Sequence, residues 1–179
     1  MTSIKFPICT IVLSISLSCV LGKVQAQNAG ESRLISISLQ VIAKGTINES
    51  NHDIPGYFVI ATITNQQDTA IKFFIMSCSW ASENWITSND SIYFREPGCD
   101  INLPADIHLR PHQSIHFYGV LTRSGTKPFS KKVKLGFRYF TNAADLWSSL
   151  SERKKVEKPT IYWSNEVEVK DNLFEYQID

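Results

Sequence analysis

The chain of 179 residues carries almost no net charge: 18 Lys and Arg stand against 17 Asp and Glu, a formal +1. That balance disfavours nucleic acid and anionic membrane surfaces as partners. Beyond the first 26 residues no apolar run reaches the length of a membrane span. Cysteine is scarce, with four in all, and histidine equally so, which leaves no clustered ligand set of the zinc-finger kind. There is no Gly-x-Ser-x-Gly, no His-Glu-x-x-His and no glycine-rich phosphate loop. Those gaps leave out the motif-bearing serine hydrolases, zinc peptidases and nucleotide-binding folds. Repeats, low-complexity tracts and internal linkers are also lacking.

What the chain does have begins at its N-terminus. Lys5 supplies a positive start, residues 6–21 are apolar apart from small hydroxyl residues and Pro7, and Val24-Gln25-Ala26 offers a peptidase site. The pattern is that of a secretory signal peptide over residues 1–26, with residues 27–179 as one domain. Losing Lys5 and Lys23 reduces the 18 basic residues to 16 against 17 acids, a formal −1. The product is expected to be exported to periplasm, cell surface or medium, with no transmembrane segment. Cys19 raises the alternative of a lipid anchor. Ser16-Leu17-Ser18 meets only one lipobox condition, the small residue just before the cysteine, so cleavage after Ala26 is preferred.

Export leaves Cys78 and Cys99, which in an oxidising compartment are expected to pair. The bridge closes a loop of about 20 residues, worth on the order of 3 kcal/mol in the chain-entropy model. Two buried free thiols are the plainer alternative.

Strand patterns then succeed one another. In residues 34–43, Ile35, Ile37, Leu39 and Val41 alternate with polar residues, as a half-buried strand requires. Residues 45–56 read as a polar loop. Residues 57–64 and 70–78 read as a hairpin about the turn at 65–68. Short strands are expected at 85–87, 91–95, 107–110, 114–121, 132–140, 160–163 and 166–169. One helix is expected at residues 143–155. Asn142 caps it, Asp145 sits in its first turn, Leu146, Trp147 and Leu150 share a face, and Pro159 forbids continuation.

Short strands without a βαβ rhythm indicate an all-β domain, an immunoglobulin-like antiparallel β-sandwich of about 7–9 strands with that one short helix. The cysteine spacing departs from the antibody type, whose bridge joins the two sheets over a longer interval. Ile63-Thr64-Asn65, Ile71-Lys72-Phe73 and the run from Ile107 through Leu109-Arg110-Pro111-His112-Gln113 to Ser114 carry a resemblance. Over residues 57–122 the chain resembles small exported bacterial immunoglobulin-like proteins of unassigned function. It departs from them at His112, where glycine is usual. The resemblance implies a fold and no chemistry.

Trp80 and Trp85 lie between the two cysteines, with Tyr93 and Phe94 close behind. Aromatic rings on a stapled loop suit recognition of a glycan or protein; equally, the tryptophans can plug one end of the core, and Trp147 and Trp163 are expected there too. His108 and His116 both stand out of phase with their apolar neighbours and could meet as a weak metal-binding pair, although a proper site needs more ligands. Asp53, Asp68, Glu83, Asp90, Glu96, Asp100 and Asp106 are scattered singly, and two of them could converge as a hydrolase pair. Lys131, Lys132, Lys134, Arg153, Lys154, Lys155 and Lys158 make the late part of the chain basic, a solvated face by default. Asn48-Glu49-Ser50 and Asn89-Asp90-Ser91 match the glycosylation pattern, a short and frequent one. Together these residues indicate a non-catalytic exported binding domain for an unknown glycan or envelope protein, without a cofactor. The alternatives are an envelope glycan hydrolase using paired carboxylates and a histidine-pair metal binder.

Overall fold

The computed structural model describes residues 33–49, 52–96, 101–123, 131–150, 159–169 and 175–178. The chain divides between Glu31 and Ser32 into two units, and every described element belongs to the second. The signal peptide expected at 1–26, with Cys19, lies outside the described residues, as do Cys99 and Asp100.

In chain order the elements are β1 (Ile35–Glu49), β2 (His52–Asn65), β3 (Ile71–Met76), α1 (Trp80–Asn84), β4 (Trp85–Thr87), β5 (Ile92–Arg95) and β6 (Pro104–Leu109). Next come β7 (Ser114–Arg123), β8 (Lys132–Val133), β9 (Leu135–Tyr139), α2 (Ala143–Leu150), β10 (Thr160–Trp163), β11 (Val167–Glu168) and β12 (Glu175–Ile178). The protein is mostly β. None of its described helices is long and apolar enough to cross a membrane.

The largest sheet has the order β12-β1-β2-β7-β5. Its pairs are antiparallel except β1 with β12, which is parallel and departs from the antiparallel expectation. The smaller sheets are β10-β9-β4, β11-β8 and β3-β6. Only Lys134 separates β8 from β9, and a bridge between Phe74 and Phe140 ties the β3-β6 pair to the end of β9. Counted with β9, as in the strand expected over 132–140, β8 adds nothing to the expected number, whereas β12 is a strand beyond those expected.

Alternation builds the core. Ile35, Ile37 and Leu39 are buried on β1, as are Ala61 and Ile63 opposite them on β2. They meet Phe73, Leu135 and Phe137 from the smaller sheets in one hydrophobic cluster. An irregularity between Val41 and Ala43 shifts the β1–β2 register. Ile42 is left 43% exposed while Ala43 is buried. An extra residue on one strand has this effect, because side-chain direction has period two.

The expected loop at 45–56 is instead the far half of the β1–β2 ribbon, where Gly45 pairs with Gly56 and Thr46 with Pro55. Few apolar residues mark it, yet β1–β2 pairing extends into it, and β12 and β7 flank it. Gly56 is required there: a Cβ would lie 2.5 Å from Cγ1 of Val120. The expected helix is described over Ala143–Leu150, and residues 151–158 lie outside the described residues. Oδ1 of Asn142 accepts from the N–H of Asp145 at 2.8 Å, capping its start. Leu146 is buried with Met76 and Phe140, whereas Trp147, expected beside it, is 51% exposed. The helix at Trp80–Asn84 has no periodic signal in the sequence, since five residues are too few to show one.

Buried amides join the parts. Asn65 is fully buried. Its Nδ2 donates to the carbonyls of Thr69, Leu109 and Arg110 at 2.8, 3.3 and 3.0 Å, and its Oδ1 accepts from the N–H of Gln67. One side chain therefore organises both the β2–β3 turn and the end of β6. Asn165 meets Leu39 in both directions, accepting from its N–H at 2.8 Å and donating to its carbonyl at 3.2 Å. Its amide acts as a one-residue strand against the β1 edge.

Candidate functional site

The four aromatic residues expected to form a recognition face do not share one. Trp85 and Phe94 are buried, and Trp80 packs partly buried against the same core. Trp80 lies 5.4 Å from Phe94 and 5.1 Å from Phe117 between ring centroids, and Trp85 lies 5.0 Å from Phe137. These edge-on and tilted contacts continue through Phe73 to Tyr139, making an aromatic ladder between the sheets. The Trp85 indole N–H is buried with no hydrogen-bond partner among the described residues. Of the four, only Tyr93 faces solvent, at 57% exposed. Parity explains the split: Ile92 and Phe94 on β5 point inward, so Tyr93 points out.

Tyr93 stands in the wall of a cleft of about 740 Å³, within the ordinary size range of ligand sites. Ile47, Asn48 and Ile54 from the β1–β2 ribbon line it. So do Ser82 of α1, Phe94, Arg95 and Glu96 at the end of β5, and Thr122 and Arg123 at the end of β7. A second groove of about 340 Å³ adjoins it on the outer face of the large sheet, lined by Ile42, Ile47, Phe58, Val59, Tyr118, Gly119 and Val120. Ile47, Arg95 and Glu96 line both cavities. Gly119 lines the groove, and it allows close approach of β5, since a Cβ there would lie 2.5 Å from both the Arg95 carbonyl oxygen and the Phe94 ring. The side chain of Tyr118, 61% exposed, borders the same groove. Sequence reasoning missed Arg95, Arg123, Phe58 and Tyr118, which alternation marks only as outward positions. Their convergence depends on the pairing of β5, β2 and β7.

Electrostatics at the junction centre on Glu96. Burial pushes its carboxyl above the usual 4.5, and repulsion from Glu83 adds to this. The backbone N–H groups of Glu96 and Ala81 and the charge of Arg95 act the other way. The other acids are dispersed. Asp68 meets His112, Asp53 accepts from Asn48, and Asp106 sits between Lys72 at 3.1 Å and His108 at 2.8 Å. The hydrogen bond from His108, then that from Lys72, lowers Asp106 to about 2.

The expected histidine pair does not form. His108 lies on β6, paired across from Lys72, while His116 lies on β7 and bonds Oγ1 of Thr62 at 2.9 Å. The two strands belong to different sheets, because the turn at Pro111-His112 crosses between sheets and does not close a hairpin. Among the described residues no three His, Cys, Asp or Glu side chains gather as metal ligands. His112 adopts φ 58°, the left-handed region that glycine enters most readily.

Around Cys78 the end of β3 is fastened to residues 101–103. Oδ1 of Asn102 accepts from the N–H groups of Cys78 and Ser79 at 3.1 and 3.0 Å. Ser77 donates its N–H to the Leu103 carbonyl at 2.9 Å. Trp163, expected in the core, is 44% exposed on the outer face of β10. No protein-family model matches this chain, and no curated protein is similar to it.

Proposed function

We propose that the protein is an exported, non-catalytic binding domain of the immunoglobulin-like β-sandwich class, and that its ligand is a protein segment. The observation that carries this is the meeting of the cleft, rimmed by Arg95, Glu96 and Arg123, with the apolar groove at Arg95 and Glu96. An apolar centre beside a charged rim, with exposed tyrosines at both cavities, is the composition of a protein-recognition patch. A saccharide has less use for so apolar a groove as the one beside Phe58 and Val120.

The sandwich reading is supported by the strand orders. The β1-β2-β7-β5 layer and the β6-β3 pair, linked through Phe74 and Phe140 to β9 and β10, share one core. Export rests on the leader pattern of residues 1–26. The resemblance to small exported bacterial immunoglobulin-like proteins agrees with both. The Cys78–Cys99 bridge belongs to the same proposal. Sγ of Cys78 lies 2.6 Å from the Ile101 carbonyl oxygen, which sets the end of β3 against the segment two residues beyond Cys99 in the sequence.

The test is capture of envelope and culture-fluid proteins on the immobilised full chain, with Tyr93→Ala, Tyr118→Ala and a remote Thr64→Ala control. A partner held by the parent and the control but lost from both tyrosine variants is the expected result. Equal retention by all four removes the cleft and groove from the function.

A second reading, hydrolysis of an envelope glycan, has one observation in its favour: the raised Glu96 carboxyl beside Glu83 at the cleft. Release of reducing ends from cell-wall glycan by the parent, abolished in Glu96→Gln, is the result it requires.

A further inference from the structure

A second surface stands apart from the cleft. On the outer face of the β10-β9-β4 sheet, Trp163 pairs with Gly136, and Gly136 pairs with Ile86. The three form one row across the sheet. Gly136 lets the row close: a Cβ there would lie 3.0 Å from Cε3 of Trp163, 2.9 Å from Cγ2 of Ile161 and 3.0 Å from Cγ1 of Ile86. The indole thus rests on bare backbone. Trp163 and Ile161 are 44% and 40% exposed, so the row is a shelf, and neither side chain lines the cleft or the groove.

Cations flank this shelf. By alternation Lys134, Gly136 and Arg138 share the outer face, one two-residue step, about 7 Å, on either side of the glycine. The Ser88 N–H donates to the Lys134 carbonyl and the Lys134 N–H donates to Oγ of Ser88, both at 3.0 Å, which continues the pairing to that position. The Arg138 guanidinium is steadied by donating to the Glu83 carbonyl oxygen at 3.0 Å.

We infer that this shelf binds an anionic saccharide chain, with one sugar ring against the Trp163 indole and acidic groups of the neighbouring rings at Lys134 and Arg138. A flat indole offers stacking area to the C–H face of a sugar. A protein anchor instead needs a pocket to enter, and neither the cleft nor the groove reaches the shelf. The two cations favour carboxylate or sulfate over a neutral sugar. Both anions satisfy the same chemistry.

Titration of the full-length protein with oligogalacturonate, a sulfated heparin oligosaccharide, neutral maltohexaose and poly-glutamate tests this, read by tryptophan fluorescence and calorimetry. At least one of the two anionic saccharides should bind tenfold or more tighter than maltohexaose, and the tighter of the two identifies the acidic group. Trp163→Ala and Lys134→Gln should each weaken it at least fivefold, while Tyr93→Ala in the cleft leaves it unchanged. Lys134→Gln alters a solvent-facing side chain and keeps the test valid if Trp163→Ala fails to fold. No binding of either anionic saccharide, binding of maltohexaose or poly-glutamate as tight as theirs, or no loss in Lys134→Gln overturns the inference. Loss in Tyr93→Ala would transfer the ligand to the cleft and overturn it equally.

Discussion

The aromatic residues inside this molecule and those on its surface are of the same kinds, yet they do opposite work. Inside, Trp80, Trp85, Phe94, Phe117 and Phe137 touch one another across the sheets at centroid separations of 5.0–5.8 Å. Outside, Tyr93, Tyr118 and Trp163 are exposed by roughly half. Tyr93 and Phe94 are chain neighbours, so composition cannot separate them. Strand parity does, and parity is set by which neighbour a strand pairs with. The loop richest in aromatics is thus largely a structural plug, and the candidate recognition residues are those that each strand turns the other way.

The sharpest test of that contrast is a pair of truncations. Phe137→Ala removes a fully buried rung and should destabilise the protein by about 3–5 kcal/mol in denaturant unfolding. Tyr93→Ala should cost less than about 0.5 kcal/mol. Equal losses would erase the distinction between ladder and surface.

Cys99→Ala probes what orders the loop behind the ladder. If the bridge to Cys78 is present, its loss should lower stability by roughly 2–4 kcal/mol. Hydrogen exchange should rise in residues 77–84 before it rises in β2. Two alkylatable thiols in the unreduced mature protein would contradict the bridge outright.

Asn65→Ala tests polar order against aromatic order. It strands a cluster of carbonyls at the ends of β2 and β6, and unsatisfied buried groups of this kind lead to an expected loss of about 1–3 kcal/mol. An unchanged denaturation midpoint would assign the turn to packing alone.

The smallest effect concerns pH. Because burial raises the folded Glu96 carboxyl above 4.5, the folded chain holds this proton more tightly than the unfolded one. The stability so contributed is present below about pH 4.5 and is lost as pH rises through the raised value. Glu96→Gln should therefore leave thermal stability near pH 4 almost unchanged and increase it near pH 7. A decrease at neutral pH would show that Glu96 is wanted as an anion.

Much of the architecture is legible where side chains alternate. Residues 34–43, 57–64, 114–121 and 132–140 read as strands because one face of each is apolar, and each overlaps an observed strand, which runs beyond the expected bounds in the first three. The far half of the β1–β2 ribbon is not legible: its pairing comes from neighbours, with Gly45, Pro55 and Gly56 masking it as a loop. The parallel β1–β12 pair is equally hidden, since nothing local to Glu175–Ile178 names its partner. At the candidate site, Tyr93 can be named from sequence. The cleft and groove cannot, because they form only when β5, β7 and the β1–β2 ribbon assemble. His108 and His116 fail as a pair for the same reason, since spacing along the chain does not report a change of sheet. The exposure of Trp163 has one trace in the sequence, a glycine in the alternating run at 136, whose partner strand could not be known.

The double hydrogen bond between Asn165 and Leu39 sets an order of events for a chain made from its N-terminus. Among the described strands β1 is made first, yet it is completed by the side chain of Asn165, and its far half is paired by Glu175–Ile178, later still. The hairpin of β1 and β2 can form early, but its outer edge stays unpaired until Asn165 and Glu175–Ile178 have been made. During that interval the emerging chain displays an open strand edge of the kind that recruits other strands. Any factor that attends this protein before it is finished should therefore act at β1, and truncation before residue 165 should yield material that aggregates through that edge.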